Sequence, residues 1–571
     1  MPTSVPGPVN AVPGDSRHSW CCHVCSVASR DVSLRPDLRS ADLSRPTGTV
    51  LLSDARGSHH TAPPRPTLRS RAQRHSVALA CAATLIVHLL SLTRQLGPDE
   101  GGFAMVARYA GTGGPFLYGP EWVDRPPGLI GLFVFAGHLG PYGVRLTAAV
   151  LAVALVAALA SAAEAVGGRS AARWAAWTGF AFGSSVLLQA QRLNGEIAAA
   201  TFVGVSMAAL VRALLVSSSR SQTALLGFLA GASATGAALM KQSFVDAFVF
   251  AGVLLLVGVA TRPNRLIYRP PQVLATLAAF TTGAALPAAA TLRWAHDHGG
   301  IGVLLYATLG FRADAAAVMA HGSWTAPLYR LGALAMFAWL SGLLFLIVHL
   351  AYSHRHRLRR PDPLPWAVAT TAGVELLGVL VGANFWSHYL IALIPTVALA
   401  AGLSVNRRVP GARWTRLLVV LAVGVTALVS PIAAITAAHA PSAAYSTGRW
   451  VASSAHPDDT LVVPFSHANV IDAAHLRPGY PYAWSLPART LDPHLELLTG
   501  TLNGPAAPTW VVRWDAADSW GLDPDDHVEA ALQEHYRSVG PICGHSVWLH
   551  DGVSRHLALA PPASACGPGE R

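Results

Sequence analysis

The sequence predicts an all-α, polytopic membrane protein that carries a small α/β domain at its C-terminal end. Hydrophobic residues make up 52% of the 571 residues and charged residues only 12%, whereas soluble domains usually carry about 25% charged residues. Acidic residues are scarce between positions 76 and 437, where short arginine clusters separate long apolar runs. This arrangement is typical of membrane-spanning helices, so the net charge of +11 does not indicate nucleic-acid binding.

Composition divides the chain into three regions. Residues 1–75 are rich in Ser, Arg, Pro and Gly, and we predict a disordered cytoplasmic tail there. Residues 76–437 form the predicted transmembrane domain. Residues 438–571 contain many Asp, His, Trp and Pro residues together with short strand-like runs, which predicts a small extracytoplasmic α/β domain. Cys543 and Cys566 lie in that domain, where an oxidising environment favours a disulfide.

The apolar runs predict about eleven transmembrane helices, since a span needs about 20 mostly apolar residues. The predicted spans are 76–93, 144–166, 174–190, 196–215, 223–240, 244–261, 273–293, 326–350, 365–382, 389–405 and 416–437. The apolar segment 128–139 is too short to span, and we expect it to lie along the outer interface or to re-enter. Arginines precede the first span and recur in every second connection. This pattern places the N-terminus in the cytoplasm and the C-terminal domain outside a multi-pass cell-membrane protein.

Polar residues of catalytic type concentrate in the connections that are predicted to lie outside. They comprise Asp99, Glu100, Tyr118, Asp124 and Arg125 in the first connection, Arg192 and Glu196 in the second, Lys241 in the third, and Trp386, His388 and Tyr389 in the fifth. Lys241 is the only lysine among 41 basic residues. The connections on the inner side carry mainly Arg, Ser, Pro and Gly. A purely structural bundle gives no reason for this asymmetry.

These residue types suit the transfer of a group from a lipid-phosphate carrier. An acid at the outer face deprotonates a hydroxyl, and arginine or lysine holds a phosphate at the depth of the lipid headgroups. Aromatic side chains stack on sugar rings. Each position also has a structural alternative. An acid is then solvated in a loop, an arginine snorkels to the headgroups, and Glu196 complements the dipole of the helix that it begins.

The order of these residues resembles a known family. Asp99-Glu100, followed in the same connection by Arg125-Pro126-Pro127-Gly128 and after the third span by Glu196, resembles the motif of GT-C glycosyltransferases of the protein O-mannosyltransferase and lipid A aminoarabinose transferase type. The segment 385–395 resembles a late outer-turn motif of bacterial members. The resemblance covers roughly 76–405. Arg125 stands where many members have Lys, and Asn194-Gly195-Glu196 is looser than the commoner acid-Pro pattern.

The resemblance implies a membrane glycosyltransferase that moves a sugar from a polyprenyl-phosphate donor to an acceptor hydroxyl on the outer face, with inversion. The acceptor is a protein, a lipid or a cell-wall glycan, and membrane lipids surround the bundle. Asp99 is the expected acceptor-activating acid. The other assignments are Glu100 and Glu196 as further catalytic acids, Arg125, Lys241, Arg192 and His388 as donor-phosphate ligands, and Tyr118, Trp386 and Tyr389 as substrate contacts.

The alternative function is a polytopic transporter or flippase for a lipid-linked or cell-envelope substrate. Such a protein places ionisable residues near the middle of the membrane or shows paired broken helices. The acids of this sequence are predicted at the outer helix ends instead. The residues predict no metal ligand set, and a divalent metal cofactor is the open alternative. His296, Asp297 and His298 are the weak candidate cluster for one.

Overall fold

The computed structural model describes residues 75–110, 117–260, 270–360, 362–405, 410–515 and 521–567. The predicted disordered tail, except its last residue, lies outside the described residues. The helices are α1 (Ser76–Leu89), α2 (Pro98–Tyr109), α3 (Pro127–His138), α4 (Gly143–Gly183), α5 (Gly195–Leu215), α6 (Arg220–Met240), α7 (Asp246–Ala260), α8 (Pro270–His298), α9 (Ile301–His321), α10 (Thr325–Leu340), α11 (Leu343–His354), α12 (Pro363–Val381), α13 (Ile394–Ser404), α14 (Ala412–His439), α15 (Ala443–Ser454), α16 (Ala468–Ala474), α17 (Ser485–Leu491), α18 (Glu496–Asn503), α19 (His527–His535) and α20 (Ala563–Cys566). The strands are β1 (Thr460–Val462), β2 (Arg477–Pro478), β3 (Trp510–Arg513), β4 (Tyr536–Ile542) and β5 (His545–His550).

The chain is a multi-pass membrane protein. By length and composition, eight helices in the described part are able to cross a membrane, or nine if α10 and α11 together form one bent span. All eleven predicted spans fall on apolar helices, with α4 containing two of them and with α1 and α7 as shorter apolar helices. Large side chains such as Leu256, Leu274 and Val381 are exposed on these helices. Exposed apolar faces on helices whose backbone is internally hydrogen-bonded fit a lipid environment.

Two glycines break long helices. Gly168 adopts φ 67° and ψ −167° inside α4 and separates its two apolar halves. Gly342 adopts φ 79° between α10 and α11, whose axes differ by 73°. Both φ values lie where a Cβ atom is unfavourable, so glycine permits each break without that cost.

Two helices lie where the sequence analysis expected connections. Helix α2 begins with Pro98 at its first position, and the amide of Gly97 donates to Oε2 of Glu100 over 3.2 Å, which closes the first turn. Helix α9 is long and apolar enough to span by composition, although it contains Arg312 and Asp314. Those two charges interrupt the apolar run, which is why the sequence alone indicated an outer connection.

The C-terminal region is the predicted small α/β domain. Its five strands form one sheet in the order β2-β1-β3-β5-β4, with β1 parallel to β2 and β3, and with β5 antiparallel to β3 and β4. Alternate residues of β3 pack against two different cores, because Trp510 and Val512 belong to one cluster and Val511 to another. The predicted pair Cys543–Cys566 is disulfide-bonded.

The C-terminal domain packs directly on α2. One hydrophobic cluster contains Phe103 and Val106 from α2, Val470 and Ile471 from α16, and residues of the sheet. The side-chain amide of Asn469 also donates to the carbonyl of Leu96 over 3.2 Å. Helix α2 is therefore enclosed between the membrane bundle and the C-terminal domain.

Candidate active site

A cavity of about 520 Å³ lies between the C-terminal domain and the helix ends that face it. It is lined by residues from five segments that are far apart in sequence. Those that matter for its chemistry are Asp99, Asp124, Arg125, Arg312, Arg330, Trp386, His388, Tyr389, Trp484 and Arg489. We call this space the main cavity. Such a concave space with a few convergent polar groups is the usual form of a small-molecule site.

Asp99 lies at the start of α2 with its side chain exposed toward the main cavity. Its Oδ1 accepts a hydrogen bond of 3.1 Å from Nε1 of Trp484. The other oxygen of the carboxylate has no protein hydrogen bond among the described residues. The group is therefore oriented on one side and accessible on the other, as a base that meets a substrate must be.

Glu100 points the opposite way and does not line the cavity. It is 2% exposed and pairs with Arg145, whose Nη2 lies 2.9 Å from Oε2. Its Oε1 also accepts from the amide of Leu193 over 2.9 Å. Arg145 in turn donates to the carbonyl of Gln95 over 3.0 Å. This buried network fixes the start of α2 against α4 and the segment before α5.

Asp124 holds two guanidinium groups at the cavity wall. Nη1 of Arg125 lies 2.7 Å from its Oδ1, and Arg312 pairs with its Oδ2. Burial alone would raise the pKa of Asp124, but Arg125 and Arg312 hold this pKa below its usual value. Burial likewise opposes the charge of Arg125, yet Asp124 and other nearby acids raise its pKa. The cavity wall therefore carries two fixed guanidinium cations and one ionised carboxylate that pairs with both.

Glu196, Lys241 and His388 form a second charged group. Asn194 caps α5 by accepting from the amide of Ile197 over 2.9 Å, which places Glu196 in the first turn. Glu196 pairs with Lys241, and Nε2 of His388 lies 3.5 Å from the same oxygen. Nζ of Lys241 also lies 4.1 Å from the ring centroid of Tyr389. Residues predicted from three different connections thus meet at one place.

Two predicted residues lie behind the cavity wall. The hydroxyl of Tyr118 donates to the carbonyl of Arg125 over 3.0 Å, and its ring is 6% exposed. Burial raises the pKa of Tyr118 well above its usual value. Nη1 of Arg192 lies 3.3 Å from Oε1 of Gln189, and its guanidinium approaches Gly97. Neither residue lines the main cavity, so both are placed to support other groups.

A smaller cavity of about 220 Å³ adjoins the first, and Arg312, Asn384 and Tyr389 line both. It is mostly apolar but contains Asp246 and Glu375, which are 3% and 2% exposed. Oε1 of Glu375 has no hydrogen-bond partner in the described structure. The expectation that the acids lie only at outer helix ends is wrong for Glu375, which lies inside α12. A lone acid inside the predicted span 365–382 is a signal that the sequence does carry, because an ionisable group within a membrane helix is costly.

No group of three or more His, Cys, Asp or Glu side chains close enough to hold a metal ion occurs in the described ranges. Asp297 of the weak candidate cluster instead pairs with Arg293 at 2.9 Å, one helical turn away. Nδ1 of His298 donates to the carbonyl of Trp294 in its own helix over 2.8 Å.

No protein-family model and no curated protein matches the chain. Solved structures do match it. ArnT from Cupriavidus metallidurans in the apo state is similar with a TM-score of 0.54 and 16% identity, covering 87% of this chain and 100% of that one. The same protein bound to undecaprenyl phosphate gives 0.53 and 17%, covering 86% and 99%. The oligosaccharyltransferase of Archaeoglobus fulgidus in complex with Zn and sulfate gives 0.51 and 13%, covering 82% and 72%.

The chain has the GT-C fold. The GT-C fold was the one implied by the first-connection motif, and that prediction is confirmed, as is the predicted combination of a helical membrane bundle with a small C-terminal sheet.

Besides Glu375, five residues that line or lie near the two cavities were absent from the sequence predictions. They are Arg145, Arg312, Arg330, Trp484 and Arg489. The two arginines in α9 and α10 carried a usable signal, since a charge inside an apolar helix is costly and usually functional. Trp484 and Arg489 carried none, because only the docking of the C-terminal domain brings them to the cavity.

Proposed function

We propose that this protein is a membrane glycosyltransferase that transfers a sugar from a polyprenyl-phosphate donor to an acceptor hydroxyl on the extracytoplasmic face. The bundle of residues 76–437 is the catalytic domain, and residues 438–571 complete its cavity from outside. The observation that carries the proposal is the main cavity itself, where the accessible carboxylate of Asp99 and the fixed guanidinium of Arg125 line one space. A base and a phosphate ligand in one cavity are the two groups that this transfer needs.

In the proposed reaction, the carboxylate of Asp99 takes the proton of the acceptor hydroxyl. The acceptor oxygen forms a bond to the anomeric carbon of the donor sugar, and the bond from that carbon to the phosphate oxygen breaks. The attack and the departure are in line, so the configuration inverts. Polyprenyl phosphate leaves as an anion. No atom or electron is needed from outside this exchange.

Arg125 and Lys241 are the proposed ligands of the departing phosphate. Their charges are already present and oriented by Asp124 and Glu196, so stabilising the leaving group needs little reorganisation. His388, beside Glu196, adds positive potential when its ring is protonated. Arg192 adds a permanent positive charge from behind the wall. Trp386 and Tyr389 offer aromatic faces within the cavity lining, which suits contact with a sugar ring. Glu100 and Tyr118 position the groups that touch substrate.

The relatives of similar fold support a lipid-phosphate donor. ArnT from Cupriavidus metallidurans was solved bound to undecaprenyl phosphate. The extracytoplasmic orientation is supported by the Cys543–Cys566 disulfide, because disulfides persist mainly in oxidising compartments, and by the arginine distribution of the inner connections. The N-terminus is then cytoplasmic.

The test is sugar transfer by purified protein in nanodiscs supplied with labelled polyprenyl-phosphate sugars. We expect Asp99→Asn to lower the transfer rate by about 100-fold or more, since a general base contributes about 10²–10⁴. Arg125→Gln should lower it by at least about 10-fold. Asp297→Asn, in the exposed Arg293–Asp297 pair, is the matched control and should transfer normally. Full transfer by both cavity variants at normal expression would refute the proposal.

A transporter is the second candidate, and Glu375 is the observation that favours it. This carboxyl lies inside an apolar helix with one oxygen unpartnered, and intramembrane acids often mark transport pathways. One measurement distinguishes the two functions. A transporter would move the labelled donor between leaflets without sugar transfer, and Glu375→Gln would abolish that movement. A glycosyltransferase would transfer sugar even when all of the donor is presented on one side.

A further inference from the structure

A third cavity, of about 340 Å³, lies between the part of α4 that follows its break and the first half of α14. Its two walls come from one helix each, and the lining residues are Arg173, Trp174 and Trp177 of α4 and Val419, Val420 and Val423 of α14. Residues four positions apart lie on the same face of a helix, so two facing helix surfaces enclose this space. Val420 is 55% exposed, which opens the space to the lipid-facing surface of the bundle. We call it the α4–α14 groove.

The α4–α14 groove lies at the end of the bundle that is remote from the C-terminal domain. Helix α14 ends at His439 and leads directly into α15 of that domain. At a rise of 1.5 Å per residue, Val420 lies about 30 Å before that end. Farther along both helices, Oγ1 of Thr426 donates to the carbonyl of Ala181, so α4 and α14 run side by side toward the domain. The groove is therefore separate from the proposed active site.

The cations beside this groove have no counter-charge within the described part of the protein. Arg169, Arg173, Arg413 and Arg416 lie at this end of α4 and α14, and none of them forms an ion pair with a described carboxylate. The proposed donor-phosphate ligands differ, since each of the two main ones pairs with an acid. Arginines at a membrane surface without internal partners attract anionic lipid headgroups.

Arg173 and Trp174 give the groove a polar rim. The guanidinium carbon of Arg173 lies 5.3 Å from the centroid of the Trp174 ring, and this contact restricts where the charge can lie. Nε1 of Trp174 is buried and has no hydrogen-bond partner among the described residues. The neighbouring Trp177 differs, because its Nε1 donates to Oγ of Ser76 over 2.9 Å. A buried N–H without an acceptor is unfavourable, so a ligand that supplied an acceptor to Trp174 would be stabilised.

We propose that the α4–α14 groove is a specific site for an anionic glycerophospholipid. One acyl chain lies against Trp177 and the valines of α14, the phosphate accepts hydrogen bonds from Arg173, and an oxygen of the headgroup or of an ester accepts from Trp174. The predicted orientation places this lipid in the inner leaflet, which carries the negative surface potential. A volume of about 340 Å³ is within the usual range of small-molecule sites, about 300–1,000 Å³. The inference is independent of the proposed sugar transfer, because no described residue lines both this groove and either of the other two cavities.

The experiment uses the full chain in a neutral detergent, titrated with phosphatidylglycerol or phosphatidylcholine of identical acyl chains. Native mass spectrometry measures the dissociation constant of the first bound lipid. We expect phosphatidylglycerol to bind at least about 5-fold more tightly, the effect of one arginine near an anionic headgroup. Arg173→Gln should remove most of this preference, and Arg173→Lys should keep most of it. Trp174→Phe keeps an aromatic ring but removes the N–H, and it should weaken the binding of both lipids roughly 2- to 10-fold.

Arg413→Gln and Trp414→Phe are the matched controls. The guanidinium carbon of Arg413 lies 5.5 Å from the Trp414 ring, so this pair repeats the sequence and the geometry of Arg173 and Trp174 at the same end of the bundle. Neither Arg413 nor Trp414 lines the groove, and both variants should bind both lipids as the unchanged protein does. A melting temperature measured without added lipid shows that each variant is folded. An undiminished preference in Arg173→Gln, or an equal loss in Arg173→Gln and Arg413→Gln, would overturn the proposal.

A photoreactive phosphatidylglycerol, with a diazirine on one acyl chain, tests the location of the site. At one molar equivalent, we expect cross-linked peptides from α4 around Trp177 and from α14 around Val420. Arg173→Gln should lose these cross-links and Arg413→Gln should keep them. Labels spread evenly over the lipid-facing helices would contradict a defined site.

Two competitors test the class of ligand. sn-Glycerol 3-phosphate carries the anionic group without an acyl chain, and undecaprenyl phosphate carries it on a polyprenyl chain. Neither should displace the photoreactive lipid when present at an equal concentration. Displacement by glycerol phosphate would make the groove a site for soluble anions, and displacement by undecaprenyl phosphate would make it a site for the carrier lipid. Either result would overturn the assignment to a glycerophospholipid.

Discussion

Trp484 of the C-terminal domain donates its indole N–H to Oδ1 of Asp99 over 3.1 Å, although the two residues are 385 positions apart. The same indole packs against α2, with its ring centroid 5.6 Å from that of Phe103. The C-terminal domain therefore contacts the proposed base itself and not only the scaffold around it. A change at the interface between α2 and the C-terminal domain should therefore also affect Asp99 and the cavity that it lines.

Replacing Trp484 by Phe should slow transfer without unfolding the protein. Phenylalanine keeps the ring against Phe103 but removes the N–H, so the Asp99 carboxylate loses the one side-chain donor that the described residues give it. A hydrogen bond to a charged group contributes about 1.5–3 kcal/mol, which corresponds to a loss of roughly 10-fold or more in transfer rate. Trp339→Phe, on an exposed face of α10, is the control. Equal rates for both variants would show that the indole N–H is irrelevant.

Removing one partner of the buried Glu100–Arg145 pair should destabilise the protein strongly. Both side chains are nearly fully buried, at 2% and 3% exposed, so Glu100→Gln leaves an uncompensated guanidinium in the interior. Breaking a buried pair in this way costs about 3–5 kcal/mol, and we expect a clear fall in the melting temperature in detergent. Asp297→Asn breaks an exposed pair of 74% and 39% exposure, where the cost is at most about 1 kcal/mol. Similar melting temperatures for the two variants would contradict the assignment.

The sequence was sufficient for the bundle but only partly for the site. Apolar length and arginine placement predicted the spans because lipid imposes both. The polar residues at the predicted outer helix ends were found because they interrupt that pattern, and the structure brings Asp99, Arg125, Lys241 and His388 to two adjoining cavities. The direction in which each side chain points was not predictable. Asp99 and Glu100 are neighbours in sequence, but the helical turn of α2 points Asp99 into the cavity and Glu100 toward Arg145.

The C-terminal domain should lose stability in mild acid through His467. Its ring stacks on Trp514 at 4.5 Å between centroids. Burial lowers the pKa of His467 to about 4 from an ordinary value near 6.5, with His545 lowering it further and Asp515 opposing. The unfolded chain therefore binds the proton first. The contribution of His467 to the free energy of unfolding is fully present above about pH 6.5 and is lost as the pH drops toward 4. The loss should be roughly 1–2 kcal/mol, because solvent screens this partly exposed ring.

His467→Asn is the test of that pH dependence. The backbone at this position has φ 58°, which asparagine accepts better than most residues. The variant should be less stable at neutral pH, because the stacking is lost, but its melting temperature should change less between pH 7 and 4.5 than that of the unchanged protein. An identical slope in both proteins would assign the acid sensitivity to other groups.

The Cys543–Cys566 disulfide should stabilise the C-terminal domain and report its compartment. The cysteines are 23 positions apart, and closing a loop of this size contributes about 3 kcal/mol. Cys566→Ser should lower the melting temperature of the domain, while Cys81→Ser, at the remaining described cysteine, should not. Protein extracted from cells under alkylating conditions should contain the bond. A fully reduced pair in freshly extracted protein would contradict the extracytoplasmic orientation.

Adding a methyl group at Gly101 should disrupt the tight contact between α2 and the C-terminal domain. A Cβ atom there would lie 2.4 Å from Cβ and 2.6 Å from Cα of Asn469, so α16 must move away from α2. Overpacking of this kind costs about 1–3 kcal/mol. Trp484 and Ala468 of α16 both lie against the neighbouring Gly102, so a displacement at this contact should also shift Trp484 from Asp99. Gly101→Ala should therefore lower both the melting temperature and the transfer rate.

Gly131→Ala in α3 is the matched control, because apart from its own helix backbone no described atom lies within 4 Å of the added Cβ. Both variants exchange glycine for alanine inside a helix, and both gain the same helix preference of about 0.5–1 kcal/mol. The difference between them isolates the clash with Asn469. If Gly101→Ala matched Gly131→Ala in melting temperature and transfer, the C-terminal domain would not be docked on α2 in the way that brings Trp484 to the proposed base.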